Sequence, residues 1–181
     1  MRIAELKQSI AIPEGVSVTL HHSKITAKGQ HGEISRTWNE PRLTVKVENN
    51  QVTISSKNAT KKQKRIIATT RAQIRNIVNG VKNGNEYKLK VCASHFPMQI
   101  AMEGNTIVIK NFFGEKVPRK TELPKDVQVK IQGDKISVTG PDIERVGKTA
   151  SLIEQTCRIA NRDRRVFQDG IFLIEKNGKA I

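Results

Sequence analysis

The sequence is internally duplicated, and this constrains its fold more than any other feature. With Gly32-Glu33 set over Gly114-Glu115, a shift of 82 residues places Val16 over Met98, Val18 over Ile100, Ile25 over Ile107 and Lys28 over Lys110. Further on, a shift of 84 sets the LTVKVENNQVTIS segment (43–55) against VQVKIQGDKISVT (127–139) nearly position by position. Val45 then matches Val129, Val47 matches Ile131, Val52 matches Ile136 and Ile54 matches Val138. These apolar positions recur every second residue, the period of half-buried strands. The pairs Asn49-Asn50 and Gly133-Asp134 between them suit two-residue hairpin turns.

One helical stretch follows each hairpin. Ile67, Thr70, Ile74, Val78 and Val81 form an apolar stripe at helical spacing in the first copy, and Val146, Ala150, Ile153, Cys157 and Ala160 in the second. Gly140-Pro141-Asp142 opens the second helix, with proline in its first turn and an acid near the positive helix end. The pattern predicts a duplicated α+β protein of two tandem domains, each an antiparallel sheet packed by one main helix. The first repeat is assigned to 1–84 and the second to 85–181, with the boundary inside 82–97 and a strand Tyr87–Val91 closing the first unit.

Charge indicates the class of partner. The chain carries 32 Lys+Arg against 17 Asp+Glu, a net charge of +15. Such an excess repels itself in the compact state and usually answers to a polyanion, with nucleic acid ahead of a membrane surface. No apolar run approaches the roughly 20 residues that span a bilayer, and the N-terminal stretch has no signal-peptide core. Residues 1–94 hold 17 basic and 6 acidic residues, net +11, and the remainder is net +4. Much of the first excess lies in the first helix, where Lys61, Lys64, Arg65, Arg71 and Arg75 make either a solvated face or a secondary polyanion-facing one, with no acid from Lys61 to Val81 to balance it. In the second copy the basic residues gather at loop ends: Lys110, Lys116, Arg119 and Lys120 around NFFGEKVPRK, and Arg162, Arg164 and Arg165 in NRDRRVFQDGIFLIEK. Cations on fixed loops make sequence-independent phosphate contacts that set position and register. Gly104, Gly114, Gly133 and Gly170 allow close backbone approach there.

Other constellations point away from catalysis. Cys92 and Cys157 read as buried, reduced thiols, and a lone Cys92-x-x-His95 offers too few ligands for zinc. Ser94-His95 lacks a nucleophile-elbow context, and neither a Walker loop nor a Rossmann fingerprint occurs. Lys28-Gly29-Gln30-His31-Gly32 joins two strands and reads as a hairpin turn, not as the GxxG clamp that sits between helices. His21 and His22 fall at a strand edge. Trp38 and Phe96-Pro97 read as domain packing, and Phe112-Phe113 as core first, with a tip touching a partner as the alternative. Aromatics are only 4% of the chain, too few for single-strand stacking platforms. The expectation is no catalytic site, no metal, no cofactor and no small-molecule substrate.

With these segments in hand, the chain resembles the large-subunit ribosomal protein L-six family in its archaeal and eukaryotic branch (L-nine in eukaryotes). Three segments carry the resemblance: RAQIRNIVNGV (Arg71–Val81); ASHFP (Ala93–Pro97) with IVIKNFFGEK (Ile107–Lys116); and a C-terminal pattern. That pattern matches as Gln155, Ile159, Arg162, Arg165, Phe167, Asp169-Gly170-Ile171, a following aromatic and Lys176. The following aromatic is Phe172, where the family usually has tyrosine. The resemblance implies a non-enzymatic, cytoplasmic, ribosome-bound constituent of the large subunit. It would bind large-subunit rRNA near the sarcin–ricin loop and translation-factor site, beside neighbouring ribosomal proteins including those of the stalk base. Carried over residue by residue, it places Arg162, Arg165 and Gly170 on the RNA-facing motif, closed by Lys176, with Phe167 and Ile171 fixing the loop. The competing expectation from charge alone is a stand-alone basic protein coating DNA or double-stranded RNA.

Overall fold

A computed structural model describes residues 3–38, 40–48, 50–93 and 96–181, arranged in two compact units, Met1–Gly84 and Asn85–Ile181. In the first unit, β1 (Ile3–Ala11), β6 (Gln51–Ala59) and β5 (Thr44–Glu48) form one antiparallel sheet in the order β1-β6-β5. A second sheet has the order β2-β3-β4, from β2 (Ser17–His21), β3 (Lys24–Gly29) and β4 (Gly32–Thr37). The helix α1 (Lys61–Asn83) packs against both. The second unit repeats this plan. The strands β11 (Gln128–Gln132), β12 (Lys135–Gly140) and β7 (Asn85–Cys92) stand for β5, β6 and β1. Likewise β8 (Gln99–Glu103), β9 (Thr106–Lys110) and β10 (Arg119–Glu122) stand for β2, β3 and β4, and α2 (Ile143–Thr156) for α1.

The duplication extends to register. Val45 faces Ile54 and Val47 faces Val52 across β5 and β6, as Val129 faces Val138 and Ile131 faces Ile136 across β11 and β12. A one-residue slip would send these apolar side chains to the wrong face of the sheet. The turns are as chemistry demands: Asn50 and Gly133 both have φ near +59°, a region open to Asn and Gly. Asn49, Ser94 and His95 lie outside the described residues.

Three expectations are corrected. The strand predicted to close the first unit is instead β7, central in the second unit's sheet between β12 and β13 (Gly170–Lys176), with β14 (Lys179–Ala180) beyond. Period-2 patterning announces a strand but not its partner, and β7 is the counterpart of β1. Second, Pro141 lies outside α2: Asp142 is the N-cap, its carboxylate accepting from the Glu144 N–H at 2.9 Å. Third, α2 stops at Thr156. Cys157 is buried at its end, but Ala160 is exposed and Ile159 packs on the core in its place.

The helix α1 buries Gln63, Ile67, Thr70, Ile74, Ile77, Val78, Gly80 and Val81. Its start is held by Gln63, whose side chain accepts from the Thr60 N–H at 3.0 Å. At its end the β3–β4 hairpin tip folds against it, His31 donating its N–H to the Val81 carbonyl at 3.0 Å. A Cβ on Gly29 would stand 2.6 Å from that carbonyl oxygen, so this contact needs glycine. Trp38 packs on the same unit's core, whereas Phe96 is largely exposed. No helix among the described residues is long and apolar enough to cross a membrane.

Candidate nucleic-acid interface

Among the described residues, the second unit carries two strands, β13 and β14, that have no counterpart in the first. β13 pairs with the β7 edge and is reached by an irregular loop, residues 158–169, after α2. A second loop, 111–118, joins β9 to β10 and contains the turn Phe112–Gly114. The two loops are far apart in sequence but meet through alternating rings and guanidinium groups. Arg119 lies 4.3 Å from the centre of the Phe112 ring, Phe112 meets Phe113 edge-on at 4.8 Å, and Phe113 meets Phe167 at 5.8 Å. Arg162 closes the series, 5.0 Å from Phe167 and 5.9 Å from Phe113. Edge-to-face rings and cations over ring faces are both attractive arrangements. Phe112 is buried, as core was expected to be, while Phe113 is only half-buried and bridges the loops.

Arg119 anchors the inner end of this series. Its Nε and Nη2 donate to both Glu115 oxygens at 2.8 and 2.6 Å, and its Nη1 donates to the carbonyls of Thr156 and Arg158 at 2.9 and 3.0 Å. A bidentate pair of this kind is rigid. Hydrogen bonding from Arg119 pulls the Glu115 carboxyl below its ordinary range, against the opposing effect of partial burial. Arg119 also takes up carbonyls freed where α2 ends. Nearby, the Thr121 and Thr156 hydroxyls lie 2.6 Å apart, tying β10 to the same helix end.

Asp163 shapes the outer loop. Its carboxylate accepts from the Arg165 backbone N–H at 2.9 Å and from Arg165 Nη2 at 2.8 Å, while its carbonyl accepts from the N–H groups of Val166 and Phe167. Arg165 hydrogen bonds hold the Asp163 carboxyl below its ordinary value. Gly170 then enters β13 beneath an aromatic ring: a Cβ there would lie 3.0 Å from Phe172 Cζ.

The predicted residues are therefore partly assembled. Arg162, Arg164 and Arg165 share one exposed loop, although Arg165 is paired with Asp163. Lys110 and Lys116 are exposed at either end of the Phe112–Gly114 turn. Arg119 and Lys120 open β10 instead of lying in the loop, and Lys120 faces Glu103 at 3.4 Å. Lys176 is not brought to the cluster. It ends β13, roughly 20 Å from Gly170 by strand rise, and its ammonium lies 6.0 Å from the Tyr87 ring. Of the expected glycines, Gly104 and Gly133 have open space around them and serve hairpin turns.

A groove of about 1150 Å³ runs alongside the loop, lined among others by Lys90, Arg158, Arg164, Arg165 and Phe172. Lys90 and Arg158 are cations that the sequence reading did not single out. Lys90 sits opposite Phe172 across β7 and β13, and its place on an open sheet face follows from the alternation of β7 once that strand's sheet is known. Cys157 is buried and its thiol is pushed up to about 12 by desolvation, while Cys92 is half-buried at the groove. Among the described residues, no group of His, Cys, Asp and Glu is placed to hold a metal.

Comparison with known proteins connects this arrangement to one family. The family model described as Ribosomal protein L6 matches residues 12–84 and again 96–170. The large ribosomal subunit protein uL6 of Haloarcula marismortui is 43% identical over 167 residues, covering 92% of this chain and 94% of its own length. That of Nanoarchaeum equitans is 42% identical over 189 residues, covering all of this chain and 98% of its own. That of Natronomonas pharaonis is 41% identical over 170 residues, covering 94% and 96%.

Proposed function

This chain belongs to the ribosomal protein L6 family, and we propose that it serves as a structural constituent of the large ribosomal subunit that binds large-subunit rRNA through the second unit's loops. The observation that carries this reading is the joining of loops 111–118 and 158–169 by the Phe112–Phe113–Phe167 series, with Arg162 at its outer end. A rigid apolar seam holds cations in fixed positions, so phosphates meet a surface that needs little ordering on binding. Among the described residues, Arg162 (stacked over Phe167), Arg164, Lys110 and Lys116 are exposed charges of this surface with no ion pair, with Lys90 and Arg158 along the groove and Arg165 turned partly toward Asp163. Arg119, Phe167 and Gly170 position the loops. Lys120, engaged with Glu103, and Lys176, at the far strand end, are peripheral to it. The family resemblance supports a location near the sarcin–ricin loop and translation-factor site, among neighbouring ribosomal proteins of the cytoplasmic ribosome. The first unit supplies the basic helix, the second the principal RNA contact.

The test is binding of the full chain to a large-subunit rRNA fragment across a salt series. Arg162→Ala with Arg164→Ala should weaken binding and flatten the salt slope by roughly one to two units. An unchanged slope in a folded variant would remove this loop from the interface. Wild-type protein should also remain with large subunits through a high-salt wash. Equal affinity for unrelated duplexes and loss on washing would favour a stand-alone nucleic-acid coat.

A further inference from the structure

We propose that the exposed face of α1 is a second polyanion-binding surface, separate from the loops of the second unit, and that its ligand is the phosphate backbone of duplex RNA. The proposal stands on the first unit alone. The helix carries Lys61, Lys62, Lys64, Arg65, Arg71, Arg75 and Lys82 and no acidic residue. All seven are exposed, and none forms an ion pair among the described residues. At about 100° per residue, all but Lys62 fall within a sector of roughly 120°, turned away from the buried stripe. Only small side chains, Ala68, Ala72 and Asn79, lie between them. The row extends about 31 Å at helical rise.

This placement runs against the helix's own electrostatics. Lysines occupy the first turn, at the positive end of the macrodipole, with no acid to offset them. Lys61 and Arg65, and Arg71 and Arg75, are like charges four residues apart, a destabilising spacing. Nothing in the fold demands this, because α2 holds the same place in the second unit and is built conventionally. It opens with Asp142 as cap and Glu144 in its first turn, and its two acids balance its two bases. A local rule broken in one copy and obeyed in the other points to an external ligand for the first.

The surrounding chemistry selects that ligand. The apolar stripe of α1, including Ile67, Ile74 and Val78, is buried in the unit's core, leaving nothing to insert into a lipid interface. The helix has no aromatic residue for stacking bases, which disfavours single strands. Nor does it offer an aromatic anchor of the kind that dominates protein interfaces. A straight row of cations separated by small residues fits the regularly spaced charges of a duplex backbone.

Full-length protein is mixed with a duplex RNA of roughly 20 base pairs and arbitrary sequence, long enough to span the face. Lysine acetylation is read by mass spectrometry with and without the RNA. Protection of Lys61, Lys64 and Lys82, the lysines of the face, is expected. The variant Lys64→Ala, Arg71→Ala, Arg75→Ala should lose tenfold or more in affinity and two to three units of salt slope. If that variant unfolds by circular dichroism, the wild-type footprint decides. RNA binding that protects Lys90, Lys110 and Lys116 but none of the α1 lysines would overturn this proposal and leave the second-unit interface standing. Protection of α1 alone would do the reverse. Protection by poly-glutamate or phosphatidylserine vesicles, with duplex RNA inert, would overturn RNA as the ligand.

Discussion

Replacing Arg119 by methionine separates two roles that sequence patterning could not distinguish. The substitution keeps most of the side-chain stem over Phe112 but removes the guanidinium and its bonds to the Thr156 and Arg158 carbonyls at 2.9 and 3.0 Å. Hydrogen bonds to charged groups contribute about 1.5–3 kcal/mol each where the partner is left unsatisfied. The two share one nitrogen, and the Arg158 carbonyl can recover a bond to water, so their joint loss falls short of the sum. The partly exposed pair with Glu115 contributes at most about 1 kcal/mol, and the contact with Phe112 about 0.5–1 kcal/mol. Arg119→Met should therefore destabilise the second unit by about 2–4 kcal/mol, since neighbouring contributions do not simply add. Amide exchange read by mass spectrometry over residues 111–122 and 152–170 measures this. Trp38, the single tryptophan, lies in the first unit and provides an unshifted fluorescence control. Affinity for an rRNA fragment should fall as the loops loosen, but the salt slope should not change. Unaltered exchange with a slope reduced by about one unit would refute the reasoning and make Arg119 a phosphate ligand.

Acid provides a related check. Glu115 has its carboxyl held below the ordinary 4.5 by Arg119, so the stability it contributes is complete above 4.5 and is lost as pH falls through the lower folded value. The gap between wild type and Arg119→Met should narrow in acid, and an invariant gap would exclude the pair from the effect. Gly29→Ala should cost the first unit about 2–4 kcal/mol by Trp38 fluorescence, because its Cβ would meet the Val81 carbonyl at 2.6 Å and displace the His31 bond. The comparison is Gly104→Ala, at φ +60° with open space, which should cost the second unit only about 1–2 kcal/mol by amide exchange. A Gly29 loss no larger than that would show that the hairpin tip yields freely. Cys157, with its thiol pushed up to about 12, should resist iodoacetamide at pH 8 while the protein is folded; alkylation as fast as in denaturant would contradict its burial.

Much of the architecture was legible because it is periodic. Alternation at Val45, Val47, Val52 and Ile54, repeated at Val129, Ile131, Ile136 and Val138, announced both hairpins and their register. The stripe from Ile67 to Val81 announced α1 and its buried face. The site was legible less evenly. Arg162, Arg164 and Arg165 share a loop, but Lys176, matched in the same motif, ends up at the far end of β13. Arg119 looked like one more loop cation, yet beyond Glu115 its partners are main-chain carbonyls 37 and 39 residues away, and a carbonyl leaves no mark in the residue pattern. Phe112 and Phe113 read together as core or a partner-touching tip, and folding divided them: Phe112 is buried in the core, while Phe113 packs half-buried against it and also reaches Phe167.

By itself, the sequence determined what depends on near neighbours: strand and helix periods, turn residues, the duplication, and an unbalanced positive charge that calls for a polyanion. Tertiary structure decided which edge each strand joins. Tyr87–Val91 patterns as a strand wherever it is placed, and only hydrogen bonding to β12 and β13 puts it at the centre of the second sheet. Tertiary structure also decided which cations are free to meet a ligand. An arginine's charge is local, but whether that charge faces solvent, a carboxylate or a helix end depends on groups brought close only by folding, as Arg119 and Arg162 show at opposite ends of one row of rings.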